Sequence, residues 1–346
     1  MALALANAPD ELEAVPHTLV ADLHAPQPWI FWTDLMSSAA LGWLAFAVAV
    51  LAAPLSLAMW IASIFAALAL YRGVCFTHEL AHLRRRALPG FETAWNILFG
   101  VPLLLPSFTY LGVHQSHHSL SSYGTKDDPE YLPFASSRPL MMIFAIQSTV
   151  LMPMAIFVRF LLVAPIALAW PRLHRWLEVH ASSFAMNPEY RRAVGAEMAA
   201  KMRRWEVATL AFWAMAFTMM YRGVLPFRAF AIWLGVLTII SLLNTIRVLG
   251  AHDYDSEGAI LSRQGQLHDS IDTPGGPWTE LWAPVGLRYH ALHHYFPGIP
   301  YHNLGAAYRR VVASLPQNAA YLESTSPSLR QSLSNLYTKA MRAARG

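Results

Sequence analysis

Long apolar runs separated by short polar segments form the dominant pattern along this chain. Residues 36–71 contain no charged residue, and Pro54 lies near their middle. A helix that crosses a membrane needs about 20 apolar residues. The run therefore predicts two antiparallel helices, roughly 37–53 and 55–74, which return the chain to the side on which it started.

Two later apolar runs, 207–221 and 226–249, flank a short loop and predict a second hairpin. Residues 94–110 are also apolar, but prolines and a glycine interrupt them, so we expect a re-entrant or interfacial segment. Residues 139–170 make either no crossing or two short ones if all histidine clusters share one side of the membrane. We favour an interfacial position for 139–170.

Both ends of the chain are polar. We divide it into an N-terminal tail at 1–36, one membrane domain at 37–316 and a C-terminal tail at 317–346. Amphipathic helical patterns occur near 304–315 and 327–344. The predicted fold is an all-α integral membrane protein, with two transmembrane hairpins, about four spans and a cytoplasmic helical cap.

The composition supports a membrane protein, since 55% of residues are hydrophobic and 13% charged, against about 25% charged in soluble proteins. Arg84, Arg85 and Arg86 follow the second predicted helix, so the positive-inside rule places this side and both termini in the cytoplasm. Such arginines at anionic headgroups also account for the net charge of +4. No nucleic-acid-binding module is recognisable, and the one cysteine, Cys75, excludes an intrachain disulfide.

Eight of the 15 histidines occur in three short motifs. The first is HELAH at 78–82, and the others are VHQSHH at 113–118 and YHALHH at 289–294. Histidines three or four residues apart share a helix face, so each motif directs imidazoles toward one point. Imidazole binds iron, zinc, copper and nickel, and a catalytic zinc uses about three protein ligands. Eight histidines therefore predict two metal ions.

HELAH alone also matches the zinc metalloproteases. A membrane protease would leave the other motif histidines unused, and it would need a distant acidic ligand, typically in an Asp-Gly pair that this sequence lacks. A single-metal protease and a non-catalytic metal-binding protein remain less favoured alternatives. The isolated histidines are expected at the surface: His17, His24, His174, His180 and His268.

The three motifs, in this order, resemble the histidine boxes of the membrane fatty acid desaturase superfamily, integral-membrane enzymes with a non-haem diiron centre. HHYFPGIPYHNL at 293–304 is similar to the end of the third box in acyl-lipid desaturases. GTKDDPEY at 124–131 is similar to the segment after their second box. The resemblance covers roughly residues 40–310. We call HELAH, VHQSHH and YHALHH boxes one, two and three.

The resemblance implies that the box histidines bind iron together with one more histidine after the last transmembrane helix, a place that His252 occupies. The implied metal ligands are His78, His82, His114, His117, His118, His252, His290, His293 and His294. Four other side chains are expected to support these ligands without binding metal: Glu79, Asn244, His302 and Asn303. For Glu79 we expect a hydrogen bond to a ligand histidine or a local salt bridge.

The resemblance also implies the reaction. Two iron ions and O2 would introduce a double bond into an acyl chain of a membrane lipid, held in an apolar tunnel. A separate ferredoxin-like or cytochrome b5-like donor with its reductase would supply electrons. By their charge, the basic segment 171–204 and Arg309 and Arg310 are suited either to docking an acidic donor or to binding lipid headgroups. A related hydroxylase or ketolase acting on a carotenoid or another lipid is the alternative. The expected location is a bacterial inner membrane.

Overall fold

The structure is a computed structural model, which describes residues 17–84 and 87–344. Within these ranges the chain is helical, and β-type pairing is confined to isolated bridges. The helices are α1 (Pro28–Leu51), α2 (Leu57–His82), α3 (Phe91–Trp95), α4 (His114–His117), α5 (Arg138–Ala169), α6 (Pro171–His180), α7 (Ala196–Tyr221), α8 (Arg228–Ala251), α9 (Arg263–Asp269), α10 (His290–Tyr295), α11 (Tyr301–Ser314) and α12 (Leu329–Ala343).

Helices α1 and α2 form the first predicted hairpin. Arg72 of α2 donates to both carboxylate oxygens of Asp34 of α1, at 2.8 and 2.6 Å. Gly42 allows close approach, because a Cβ atom there would lie 2.6 Å from the Leu70 side chain. Helix α2 continues to His82, past its predicted end at residue 74, so box one forms its last turns.

Helices α7 and α8 form the second hairpin. The rings of Trp213 and Trp233 lie 4.6 Å apart and those of Phe217 and Phe230 lie 5.9 Å apart, an antiparallel arrangement. Helix α7 begins at Ala196, well before its predicted start, and its first turns are charged. Four helices in the described part of the chain are long and apolar enough to cross a membrane: α1, α2, α5 and α8.

Residues 139–170, for which we favour an interfacial position, form the long helix α5. It has 32 residues, and its most apolar 18-residue window has a mean hydropathy of 2.2, so it is one of the four helices that are long and apolar enough to cross a membrane. Ser148 hydrogen-bonds Thr245 of α8 at 2.8 Å, and Phe157 packs on Phe230 with ring centroids 5.7 Å apart. Helix α5 therefore runs alongside α8 within the bundle.

The proline-rich segment 94–110 is broken, as predicted, into the end of α3, a π-helical turn and a 3-10 turn. Tryptophan side chains hold its backbone: Trp43 donates to Leu98 O at 2.8 Å and Trp233 donates to Pro102 O at 3.0 Å. This segment is packed inside the bundle.

The three boxes lie where α2 and α8 end, which we call the histidine end of the bundle. The amphipathic patterns near 304–315 and 327–344 are confirmed as helices α11 and α12. Both pack at the histidine end, since Tyr301 of α11 donates its backbone N–H to Glu79 of α2. Leu329 of α12 lies 2.7 Å from the place where Gly250 of α8 would carry a Cβ.

Candidate metal centre

The nine predicted ligand histidines form two groups at the histidine end. In each group, one ring nitrogen from every member lies within 4.8 Å of the others. The five-histidine group contains His78, His82, His114, His118 and His293. The four-histidine group contains His117, His252, His290 and His294. Box two and box three each contribute to both groups, because neighbouring residues on a helix point in different directions.

The nitrogen distances suit ligands that share an ion. Four Nε2–Nε2 distances lie between 2.8 and 3.2 Å: His252–His290, His114–His118, His82–His293 and His290–His294. Two nitrogens that each lie about 2.1 Å from one ion, at right angles, are about 3.0 Å apart. The two groups are adjacent, since the rings of His118 and His294 stack with centroids 4.1 Å apart.

His78 supplies a further test of fit. It is 5% exposed, and neither of its ring nitrogens hydrogen-bonds to any residue that the structure describes. Buried polar atoms are almost always hydrogen-bonded, and one metal bond would satisfy a nitrogen of this ring. The residues present therefore fit two metal ions held mainly by imidazoles.

Two carboxylates orient two of the three histidines of box two, His117 and His114. Both oxygens of Asp128 lie 3.0 Å from Nδ1 of His117, and Oε1 of Glu130 lies 2.9 Å from Nδ1 of His114. A carboxylate that accepts the Nδ1 proton leaves the Nε2 lone pair free for a metal. From the sequence, the segment 124–131 is only a point of resemblance, and neither acid has a predicted role.

His252 is oriented by a different set of groups. The hydroxyl of Tyr123 lies 2.9 Å from its Nδ1 and donates to Asp269 at 2.8 Å. The Asp269 carboxylate itself lies 3.6 Å from Nδ1. Neither Tyr123 nor Asp269 was singled out from the sequence, because no motif joins them to His252.

Burial sets the protonation of these rings. It lowers the pKa of His114 well below its ordinary value, and positive charge on nearby histidines lowers it further. The pKa of His294 is lowered in the same way. Burial also opposes protonation of His117, but the carboxylates of Asp128, Glu130 and Asp269 together outweigh it, so the pKa of His117 is raised. Most of the set is thus held as neutral imidazole, the form that binds metal.

The four predicted supporting residues lie outside both groups. Glu79 Oε2 accepts the backbone N–H of Tyr301 at 3.0 Å. Glu79 Oε1 lies 3.7 Å from His78 Nδ1, beyond hydrogen-bonding distance. Glu79 therefore joins box one to the first turn of α11. Asn244 accepts two hydrogen bonds from Arg247, at 3.2 and 3.0 Å.

His302 and Asn303 hold the segment before α1. His302 Nε2 accepts the backbone N–H of Gln27 at 3.2 Å, and Asn303 donates to Leu23 O at 2.8 Å. These contacts fix the chain that leads into α1. Their link to the histidine groups is therefore indirect.

His174 corrects the prediction that all isolated histidines lie at the surface. It is 6% exposed, and its Nε2 lies 3.2 Å from Glu206, which also accepts from Arg159 at 2.5 Å. This cluster joins α5, α6 and α7. His24 and His180 are exposed as predicted, His268 is half-buried, and the side chain of His17 lies outside the described residues.

Two cavities reach the histidines from different sides. A cavity of about 210 Å³ lies between α2, α5 and α8, with His78 in its wall and apolar residues such as Leu105, Ile156 and Leu237 around it. A second, of about 390 Å³, is lined by His82, Glu79 and the polypeptide around Pro297. The first is suited to hydrocarbon, since its lining is mostly apolar.

The chain belongs to the fatty acid desaturase family, a family of membrane diiron enzymes, which it matches over residues 54–325. All nine clustered histidines lie within this range, and the predicted superfamily is confirmed. The chain is also 36% identical over 326 residues to a protein named "Ceramide hydroxylase" from Caulobacter vibrioides (strain NA1000 / CB15N). That alignment covers 93% of this chain and 92% of the relative. No solved structure matches the chain.

Proposed function

We propose that this protein is an O2-dependent hydroxylase of a ceramide-type lipid. The observation that carries the reaction type is the convergence of nine histidines into adjacent groups of five and four. The substrate class is supported by the relative named for ceramide hydroxylation. Two iron ions held by these groups would supply the activation of O2 and the oxidation of an unreactive C–H bond.

The protein's own residues would position the histidine ligands and exclude water from the substrate. Asp128, Glu130 and Asp269 keep imidazoles aligned without occupying a metal position. The apolar cavity beside His78 would hold the hydrocarbon chain and exclude water from it. A metalloprotease that used HELAH alone would leave box two, box three and this arrangement without a role.

Desaturation of an acyl chain is the second candidate. The family description and the HHYFPGIPYHNL segment favour it. Hydroxylation inserts one oxygen atom of O2 and releases one water, whereas desaturation removes two hydrogens and releases two waters. Both consume two electrons and two protons, so we propose a separate ferredoxin-like or cytochrome b5-like donor. We also propose that the histidine end faces the cytoplasm of a bacterial inner membrane.

Metal content and product mass test the proposal together. Protein purified in detergent should hold about two metal ions per chain, and His294→Ala should lower that number because it removes a ligand. His180→Ala is the control, since His180 is exposed and stacks on Trp176. With iron, O2 and a reducing donor, ceramide should become one oxygen atom heavier.

Other outcomes decide between the alternatives. A product two hydrogen atoms lighter would identify a desaturase. One metal ion per chain, unaffected by His294→Ala but lost in His82→Ala, would overturn the two-metal centre and favour the metalloprotease.

A further inference from the structure

The cavity beside His78 has a polar end and an apolar end. Leu237, Ile240, Asn244 and Arg247 of α8 all line it. At 1.5 Å per residue, Leu237 and Arg247 are separated by about 15 Å along the helix. Arg247 lies near the C-terminus of α8, at the histidine end of the bundle. Leu237 lies deeper in the spanning part of α8.

The apolar end is formed by α5 and α8 together. Because Ser148 pairs with Thr245 and Phe157 packs on Phe230, the α5 residues between them lie beside the middle of α8. Met152 and Ile156 come from this part of α5 and line the cavity. The deep end of the cavity is therefore apolar and suited to a hydrocarbon chain.

Arg247 places a positive charge in the opposite end. Its Nε and Nη2 both donate to Asn244 Oδ1, and no carboxylate oxygen of a described residue lies within 4.0 Å of its guanidinium nitrogens. A guanidinium has five N–H donors, so donors remain for another acceptor. Charged side chains at membrane depth are costly and usually mark a binding path.

Glu130 does not satisfy this charge directly. It influences Arg247 across the cavity, but its carboxylate oxygens bind Nδ1 of His114 at 2.9 Å and the Tyr110 hydroxyl at 3.4 Å. Arg247 is also only half-buried, since part of its surface faces the cavity. The side chain is thus oriented by Asn244 and accessible to a ligand.

We propose that Arg247 binds an oxygen atom at the polar end of the lipid substrate. The inference rests on the proposed function, because it concerns how that substrate is held. The ligand chemistry is a hydrogen-bond-accepting oxygen, either the amide or hydroxyl oxygen of a ceramide or the carboxylate of a free fatty acid. The lipid lies with this end beside His78 and its hydrocarbon toward Leu237.

This orientation specifies the place of oxidation. His78 and Arg247 line the same end of the cavity, so the carbons nearest the metal centre are those a few bonds from the anchored oxygen. A lipid bound in the opposite direction would present the far part of its chain instead. The product should therefore carry its new oxygen or double bond close to the polar group.

Binding to the metal-loaded protein without O2 or an electron donor tests the anchor without relying on turnover. Radiolabelled ceramide and radiolabelled hexadecanoic acid are the two probes, and the variants are Arg247→Met and Arg247→Lys. Loss of a charge-assisted hydrogen bond should weaken binding of the recognised probe by about tenfold or more in Arg247→Met. Arg247→Lys should retain part of the affinity, because it keeps the charge but loses the fork geometry.

Two further variants control for folding. Thr238→Val lies on the same helix, where the Thr238 hydroxyl donates to Leu234 O at 2.8 Å, and this variant should bind like the wild type. Asn244→Ala leaves the charge but frees the guanidinium, so it should weaken binding less than Arg247→Met. Unfolding midpoints in detergent identify any variant that has lost its fold, and Asn244→Ala then replaces Arg247→Met as the decisive variant.

The outcomes separate the two proposals. A loss confined to ceramide identifies an amide or hydroxyl oxygen as the ligand, and a loss confined to hexadecanoic acid identifies a carboxylate. Equal binding of both probes by wild type and a folded Arg247→Met overturns the anchor, as does oxidation far from the polar group in product fragmentation spectra. If ceramide binds through Arg247 but is not oxidised by the iron-loaded enzyme, the proposed function fails and the anchor stands.

Discussion

At the scale of single residues, the candidate metal centre depends on side chains that belong to neither histidine group. Asp128 is fully buried, and its two oxygens also accept the backbone N–H groups of Gly124 and Glu130, at 2.8 and 2.9 Å. The same carboxylate thus fixes the loop after box two and the ring of His117. A rigid loop is what keeps that ring in place.

Asp128→Asn should weaken metal binding by about 10- to 100-fold. The asparagine side chain would have an N–H group in place of one carboxylate oxygen. It could then no longer accept from all three donors, which are His117 Nδ1 and the backbone N–H groups of Gly124 and Glu130. Asp127→Asn is the matched control, because Asp127 is the exposed neighbour of Asp128. Metal retained after graded chelation, measured by plasma mass spectrometry, gives the comparison. Equal retention in the two variants would contradict a positioning role for Asp128.

Spacing was sufficient to find the eight box histidines, because each box acts within one or two helical turns, whereas His252 was found only through the family resemblance. Their partners were harder to predict. Tyr123 and His252 are 129 residues apart and meet only through the tertiary fold. The buried pairing of His174 with Glu206 was missed for the same reason, since an isolated histidine in a polar helix has no local sign of burial.

At the scale of elements, the bundle depends on close approach between α2 and the segment 94–110. A Cβ at Gly73 would lie 2.0 Å from the ring of Phe99, and Gly73 O accepts the Trp95 indole N–H at 2.8 Å. Gly73 is therefore the point at which box one's helix contacts the broken segment.

Gly73→Ala should destabilise the protein by about 1–3 kcal/mol through overpacking. Gly235→Ala is the control, since nothing lies within 4 Å of a Cβ built there in α8. That substitution should be neutral or should stabilise by up to about 1 kcal/mol, because alanine favours helix. Thermal unfolding midpoints in one detergent give the test, and a midpoint for Gly73→Ala at or above that of Gly235→Ala would show that the contact is relaxed.

The first hairpin was predictable because 36–71 is uncharged and broken once by proline. The roles of α5 and α7 could not be predicted, because the length of an apolar run does not show which helices it packs against. Helix α7 buries Glu206 against Arg159 of α5 at 2.5 Å, although Arg203 and Arg204 nearby are exposed. Buried pairs of this kind are invisible to hydropathy and depend on neighbouring helices.

At the scale of the whole molecule, the hairpins place the α7–α8 loop at the end opposite the boxes. Arg222 is exposed in this loop, and Thr338 is exposed on α12, which packs at the histidine end. The only native cysteine, Cys75, is buried and can be replaced by alanine to give a background without thiols. Arg222→Cys and Thr338→Cys then report the two ends separately.

If the histidine end faces the cytoplasm, a membrane-impermeant maleimide added to intact spheroplasts should label Arg222→Cys and spare Thr338→Cys. Opening the membranes should make both reactive. The reverse pattern would place the boxes outside, and labelling of both in intact spheroplasts would contradict the hairpin arrangement.

The pairing of box one with the last part of the chain also orders events during biosynthesis. His82 contacts His293, which follows it by 211 residues in the sequence, and Glu79 contacts Tyr301, which follows it by 222 residues. At about 5–20 residues per second, a ribosome needs about 10 to 40 seconds to translate the residues between these partners. A polar cluster at the end of a newly inserted helix thus persists without its partners while the rest is translated, so completion of the metal centre is a late event in assembly.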